Sequence, residues 1–538
     1  MRVDDDDDDA DARRRAKENR ARAIATRTTR LVSSVIATER VRALNARSIN
    51  DRGAFAVYWM QASHRVRRNE ALEYAVHRAN ALGKPLVVMF SCTAGYPDAS
   101  VRHYGFMFEG LVEAARALDR RGIRFRATIG SPPASIIAVS RCATEIIVDC
   151  AYMRLLRSWR DELAREASCL VTEVEADVVV PQMCSRGADA RAEIAAATFR
   201  PKVLPRVAMF VKHELPEFPY AYGALDDDTR RVFEDAIQDF ETLPVDEGVD
   251  ACLSALDAHG LERLERCPRV TSHVGGERAA YEKLDKFLTK KMLSRYAQCR
   301  NDPSMGLQSH LSPHIQYGQI SVVEIARRAL EFQKAHREDK NISASVDVFL
   351  DELIVRRELA VNFALRNPHY DTYEGLPEWS RKTLERHASD KRAWTYTLEQ
   401  FERGETHDKL WNASQRELVV SGKQHNFLRM YWGKKILEWT ARPEDAWRIA
   451  MTLNNRYSLD GRNMVSLTGV GWCFGLHDRE FHDVEITGTT RRFSAEGMSK
   501  KFPAGMKEYL DRWGDGGDRK RQVRIADMFK PVEKRPRP

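Results

Sequence analysis

Two hydrophobic periodicities divide this chain. Between Ala54 and Glu173, short runs rich in β-branched residues alternate with stretches of 3.6-residue period. That is the pattern of strands joined by crossover helices in a parallel sheet. The spacing predicts strands over Ala54–Trp59, Pro85–Phe90, Ile123–Ile129, Glu145–Val148 and Cys169–Glu173, and helices over Arg65–Leu82, Phe106–Arg121, Ala134–Ala143 and Met153–Ala167. From about Glu277 to Leu453 nearly every segment has helical period, as in Val346–Leu365 and Gln415–Thr440, with Pro368 and Pro443 as stops. The expected fold is α/β plus all-α: an N-terminal doubly wound parallel sheet domain over 54–180, then a C-terminal all-helical domain over 271–510. The stretch 181–270, with Pro181, Pro201, Pro205, Pro216 and Pro219, reads as an irregular connector. Residues 1–53 and 511–538 read as charged, solvated tails, the first disordered and the second basic.

Composition narrows the function classes. At 538 residues and 43% hydrophobic, the chain can bury more than one core. No run of eighteen apolar residues occurs, and the N-terminus sets Asp4 to Asp9 beside Arg13, Arg14 and Arg15 where a leader would be apolar. Neither a membrane span nor secretion is expected. Nine scattered cysteines without a C-x-x-C pair argue against a disulfide framework or a zinc ribbon, so no metal ligands are assigned. They favour a reducing compartment, the nucleus in a eukaryote and otherwise the cytoplasm. A net charge of +8 is modest and does not by itself demand a polyanionic partner.

No GxGxxG or GxxxxGK[ST] follows any strand, so the sheet lacks the phosphate cradle of a dinucleotide-binding or NTPase fold. The tryptophans are more telling. Only Trp59 and Trp159 precede position 370, whereas Trp379, Trp394, Trp411, Trp432, Trp439, Trp447, Trp472 and Trp513 crowd the remainder. On a helix over Gln415–Thr440, Trp432 and Trp439 are seven residues apart, two turns and about 10.5 Å of rise along one face. Spacing alone fits an aromatic stripe in a core as well as an indole chain with stacking or redox work to do.

The stretches YWMQASHRVRRNEALEYA (Tyr58–Ala75), RNDPSMGLQSHLSPHIQYGQIS (Arg300–Ser321), FLDELIVRRELAVNFALRNPHYD (Phe349–Asp371), WNASQRELVVSGKQHNFLRMYWGKKILEWT (Trp411–Thr440) and LNNRYSLDGRN (Leu453–Asn463) closely resemble class II cyclobutane pyrimidine dimer photolyases. The resemblance spans about Ala54 to Phe502. It implies a light-dependent lyase whose helical domain holds a U-shaped FAD, active as FADH⁻, and which acts as a monomer on dimer-containing DNA. An antenna chromophore, a deazaflavin or a folate, belongs to some members; no motif here identifies one.

The resemblance also assigns residues. Ser309, His310, Leu311 and Ser312 stand at the FAD diphosphate, where hydroxyls and backbone N–H groups suit an anion; His310 replaces the usual Asn, and an ordinary helix cap would look the same. Tyr296, Arg300 and Asn301 join the flavin site by position. Arg429 pairs with Asp460, followed by Gly461, to neutralise the reduced ring, and Asn454 faces its N5. Trp411, Trp432 and Trp439 form an electron relay that reduces oxidised flavin. Glu352 hydrogen-bonds the flipped dimer, although alone it reads as a helix-start acid. Met430 and Trp472 wall the lesion pocket. Arg479, Arg491, Arg492, Lys500 and Lys501 contact DNA, with Arg491 filling the gap left by the flipped bases; a solvated face is the plainer reading. The chain departs from the family at Asn463–Leu467, in a short loop near Cys473, and at Phe481, where Trp is common. Independently of the family, Gln522, Ile525, Met528 and Phe529 form a Q-x-x-I-x-x-M-F box similar to a sliding-clamp ligand. Two rival readings stand: a cryptochrome-like photoreceptor without repair, and a flavin-free nucleic-acid-binding scaffold.

Overall fold

The computed structural model describes residues 36–185, 191–261 and 267–514. The clamp-like box at Gln522–Phe529 and most of the acidic and basic head lie outside the described residues.

The N-terminal part is a six-stranded sheet of order β1-β6-β5-β2-β3-β4. Its strands are β1 (Val41–Ala43), β2 (Phe55–Trp59), β3 (Leu86–Cys92), β4 (Arg124–Ile129), β5 (Ala143–Asp149) and β6 (Leu170–Val174). All neighbours are parallel except β1, which runs antiparallel to β6. The strands β2, β3, β5 and β6 are buried along their whole length, as expected when helices cover both faces. Five of the strands agree with the expected ones to within two residues at each end.

β1 corrects the reading of residues 1–53 as a tail: Val41, Arg42 and Ala43 pair with Val174, Glu173 and Thr172. A three-residue strand has no periodicity to detect. Arg40 anchors it from beneath, donating to the carbonyls of Glu175, Val178 and Val179. The helix expected from Arg65 begins at Glu70, because buried Asn69 caps it with its side-chain oxygen on Ala71 and Leu72 N–H.

The stretch 181–270 is less irregular than its prolines suggest. It contains the helices Ala196–Lys212, Asp227–Ile237 and Val249–Asp257. Pro201 and Pro205 lie inside the first, against a penalty of roughly 3 kcal/mol for each interior proline. Burial of Phe199, Val203, Val207, Phe210 and Val211 outweighs it. Phe233 and Ile237 of the second helix pack on the sheet, so the connector is built into both cores.

The remainder is helical. The continuous helix expected over Gln415–Thr440 is two, Lys409–Ser421 and Asn426–Glu438, broken where Gly422 takes a left-handed φ of 69°. A Cβ there would sit 2.9 Å from Leu459 Cγ, so only glycine fits both the turn and the packing. The two parts of the molecule are joined by buried charge: Arg65 bonds Asp177 and the Gly318 carbonyl, and Arg102 donates to the carbonyls of Tyr457 and Val419.

Candidate functional site

The sheet order reverses between β2 and β5, and the carboxyl ends of these strands open a crevice. Two cavities lie there. One lies between the sheet and the helices, lined by Ala62, Cys150 and Tyr152 on one side and by Ser312, Arg429, Asp460 and Ser466 on the other, and is open to solvent. The second is lined by Phe90, Tyr96, Tyr104, Met107 and Trp159. Concave, largely apolar clefts with a few converging polar groups at a sheet's switch point are the usual places for a ligand.

The helical wall of the first cavity is rich in hydrogen-bond donors and poor in acids. Arg429 Nη2 donates to Asp460 Oδ1 at 3.2 Å, and buried Lys423 bonds both Asp460 Oδ2 and Ser312 Oγ. Burial pushes the Asp460 carboxyl up, but Lys423 and Arg429 together hold it well below the usual range. Lys423, in the stretch SGKQHNF, carries no local sequence signal of this pairing. Behind Ser312, Lys283 Nζ lies 3.0 Å from His314 Nε2 and 3.3 Å from His273 Nδ1. Burial, then Lys283, keeps His314 down at about 3 and His273 at about 2, so both imidazoles are neutral. His310 takes a left-handed φ of 54°, which His, like Asn, tolerates better than most residues, and its ring is 5.9 Å from His273. The helix opened by Ser312 has five residues, so the positive charge of this corner comes from side chains and not from a helix dipole. Among the described residues, Arg429 Nε and Arg357 Nη1 are buried without a hydrogen-bond partner.

Asn454 is buried and exchanges hydrogen bonds with Ser466 Oγ at 2.7 and 3.1 Å. Ser466 lines the cavity and Asn454 does not. Gly461 packs tightly: a Cβ there would sit 2.9 Å from the carbonyl oxygens of Asn454 and Ser458.

A second cluster gathers Tyr296, Arg300 and Glu352. The Arg300 guanidinium bonds the Glu352 carboxylate, and Tyr296 OH reaches Glu352 Oε2 at 3.3 Å. Glu352 is not a helix-start acid. It lies in a π-helical turn, Asp351–Arg356, running on from the helix Lys340–Leu350, and such turns re-aim side chains within a helix. From the same turn Arg356 lies 4.8 Å over the Trp472 ring. Met430 is half-buried beside Cys473, and Gly433 lets the two helices approach, its Cβ position only 2.6 Å from Cys473 Sγ. Among the described residues, neither Asn301 nor Ser309 bonds a member of these clusters.

The three relay candidates form one file. Trp411 stacks on Trp432 at 6.3 Å and 6°, and meets Trp439 at 6.3 Å and 63°. Trp411, from the neighbouring helix, therefore stands between the two indoles that the seven-residue spacing put on one face. All three are buried. Buried Gln415 fixes Trp432 by accepting from its Nε1 at 2.8 Å, and Trp411 Nε1 donates to the Trp432 carbonyl at 3.0 Å.

The basic candidates lie apart from both cavities. Arg479 and Arg491 flank the Phe481 ring at 5.3 and 4.5 Å. Arg491 also makes a two-pronged pair with Asp478, at 2.9 and 3.0 Å, a partner thirteen residues away that no sequence pattern signals. Arg492 is exposed, Lys500 pairs with Glu496 along its helix, and Lys501 lies over Phe427 and Phe502.

Residues 56–217 match the family model for DNA photolyase. Over 478 residues the chain is 39% identical to the deoxyribodipyrimidine photo-lyase of Methanothermobacter thermautotrophicus, covering 89% of this chain and 98% of that protein. The chain belongs to the DNA photolyase family. It is also 37% identical to the photolyase of the same name from Arabidopsis thaliana, covering 83% of this chain and 86% of that one, and 34% identical to that of Potorous tridactylus, covering 84% and 80%. Among solved structures, a Synechocystis cryptochrome superposes with a TM-score of 0.63 at 15% identity, covering 85% of this chain and 88% of that one. An archaeal photolyase from Sulfolobus tokodaii, described with two FAD molecules, gives 0.58 at 16%, covering 88% and 92%. These two share the photolyase fold. Among the described residues no helix is long and apolar enough to cross a membrane.

Proposed function

We propose that this photolyase-family chain is a class II enzyme that splits cyclobutane pyrimidine dimers in DNA under light. The observation that carries the reading is its 39% identity to a deoxyribodipyrimidine photo-lyase across nearly the whole of that protein. The first cavity suits FAD: Arg429 Nε and Arg357 Nη1 on its wall are buried without a partner among the described residues, and Ser312 on the same wall is backed by Lys423 and, through His314, by Lys283, a donor set for an anionic dinucleotide. Reduced FAD, when bound, supplies the photoexcited electron.

The protein's own residues do the rest. Lys423, Lys283 and Ser312 hold the diphosphate, with His310 and Leu311 shaping the turn. Arg429, fixed by Asp460, sets a positive charge at the ring, and Asn454, through Ser466, orients a polar edge. Glu352 hydrogen-bonds and orients the flipped dimer, with Arg300 and Tyr296 fixing its position. Met430 and Trp472 form apolar walls that exclude water. Trp432, Trp411 and Trp439 pass electrons inward to restore the reduced state. Arg479, Arg491, Arg492, Lys500 and Lys501 track phosphate, and Arg491 fills the gap.

The second cavity, aromatic and at the carboxyl ends of β2 and β3, suits a flat antenna chromophore, a deazaflavin or a folate. The tail box at Gln522, Ile525, Met528 and Phe529 recruits a sliding clamp; titration of a peptide of residues 516–538 against the host clamp tests it, with Phe529→Ala as control.

The deciding experiment illuminates the purified, reduced protein with dimer-containing DNA and counts dimers against a dark control. Dimer loss only in light supports the enzyme. A flavin-coloured protein that leaves dimers intact is a photoreceptor instead, and a colourless DNA binder is a scaffold. Glu352→Ala should keep its FAD yet repair fewer dimers per absorbed photon, because a hydrogen bond to a charged group is worth roughly 1.5–3 kcal/mol.

A further inference from the structure

The file of buried indoles stops short of water. Trp439, its outermost member, is only 4% exposed, so an electron vacancy resting there is shielded from any reductant in solution. Beyond it the aromatic contacts continue. The His407 ring meets Trp439 at 4.9 Å and 61°, and Trp394 stacks on His407 at 4.5 Å and 16°. Trp394 is 51% exposed. One imidazole thus bridges a buried indole and a wet one, and the contact chain from Trp432 to solvent is unbroken.

The bridge is held rigidly. Tyr396 OH lies 2.7 Å from His407 Nδ1 and also accepts the His407 backbone N–H at 3.0 Å, while Tyr396 N–H donates to the Trp439 carbonyl at 3.1 Å. A tryptophan serving only as a cover for the core would bury its indole, the largest apolar gain available to it. Trp394 leaves half of its surface in water while its face stays aligned with the ring behind it. Solvation favours the same direction of flow. The cation nearest Trp439, Lys435 at 5.5 Å from its ring, is paired with Glu438 and leaves little net charge there, whereas at half-exposed Trp394 water stabilises a positive vacancy.

We propose that Trp394 is the outlet of the tryptophan relay, with His407 as the bridge to Trp439; this rests on the relay reading of Trp432, Trp411 and Trp439. When Trp439 has lost an electron, Trp394 supplies one across His407. The Trp394 radical cation releases its indole N–H proton to water, and a small thiol in solution returns one electron and one proton, becoming a thiyl radical. Tyr396 is the competing donor, since its phenol can lose an electron while its proton passes to His407 Nδ1.

The test is transient absorption of the tryptophan radical in the full-length, flavin-loaded protein, with and without a small thiol. In the unmodified chain the long-lived radical should disappear faster as thiol is added. Trp394→Phe should abolish that thiol dependence and shorten the radical's lifetime several-fold, because the vacancy is then confined to Trp439 and recombines inward. His407→Gln should act in the same direction, and Tyr396→Phe should leave the thiol dependence intact. An unchanged melting temperature for each variant separates these effects from misfolding. If Trp394→Phe behaves like the unmodified chain while Trp411→Phe removes the radical, Trp394 is not the outlet. If Tyr396→Phe alone removes the thiol dependence, the outlet is Tyr396 and the proposal is overturned. Should Trp411→Phe leave photoreduction intact, the relay reading itself has failed.

Discussion

At Asp460 burial and charge pull in opposite directions, and charge wins: two cations hold the carboxyl ionised in a site where a lone carboxylate would take up a proton. Removing that charge strands Lys423 and Arg429. Asp460→Asn should therefore cost roughly 3–5 kcal/mol, the usual penalty for breaking a buried pair, visible as a lower melting temperature and weaker FAD retention. The same cluster makes stability depend on pH in two stages. His273 and His314 are neutral in the folded chain and protonate in the unfolded one, so their contribution is complete above the ordinary histidine value of about 6.5 and declines as pH falls below it. Asp460, whose folded value is depressed, contributes fully above about 4, the ordinary aspartate value, and loses its share below that. Thermal melts between pH 8 and pH 3 should show a loss that begins near the histidine value and steepens near the carboxylate value. Buried carboxyls raised by burial, Glu358 to about 8 and Glu175 and Glu277 to about 7, gain stability over the same window. The check is therefore a comparison: a His273→Gln, His314→Gln variant should lose less between pH 7 and pH 5 than the unmodified chain, and an equal change would contradict the first stage. The roles of Arg429 and Asp460 could be expected only from the resemblance, whereas Lys283 and His273 joined the cluster only when the chain folded.

Among the elements, the break at Gly422 matters most to the relay. It turns the chain so that the helix carrying Trp411 lies antiparallel against the one carrying Trp432, with the indoles stacked across the join. Gly422→Ala meets both a left-handed backbone, which costs an L-residue roughly 1–2 kcal/mol, and the Leu459 side chain. A denaturation midpoint shifted by at least that amount is expected, with photoreduction slowed because the stacking geometry changes. Trp432→Phe should preserve the fold and block photoreduction of oxidised flavin, while chemically reduced enzyme still repairs. Photoreduction at the normal rate in that variant would show that electrons enter by another path. The π-helical turn at Asp351–Arg356 is a second device of this kind. Helical period alone cannot register one extra residue in a turn, so Glu352 reads from sequence as a helix-start acid and not as a residue of a π-helical turn.

For the whole molecule, the basic candidates gathered around Phe481 and along 492–501 imply binding that releases counterions. Affinity for dimer-containing DNA should fall steeply with salt, with a log–log slope of several units, and Arg491→Ala should cost roughly 1–3 kcal/mol of it. A salt-independent affinity would exclude a phosphate-tracking surface. The division of the chain into a parallel sheet and a helical body was legible in the sequence. Strands buried on both faces and helices with one apolar stripe obey local rules of period 2 and 3.6, which survive in one dimension. Local rules also located the tryptophan-rich segment, and the resemblance supplied roles for single residues. What they could not supply is partnership between distant residues. β1 has too few residues for a period, Pro201 and Pro205 argue locally for a break that burial overrules, and Arg491 meets Asp478 only through a loop. The order Trp432, Trp411, Trp439 and the step through His407 to Trp394 likewise follow from how two helices and a loop pack. Contacts of that kind depend on the sum of burial and charge over the folded chain, and only the tertiary structure carries out that sum.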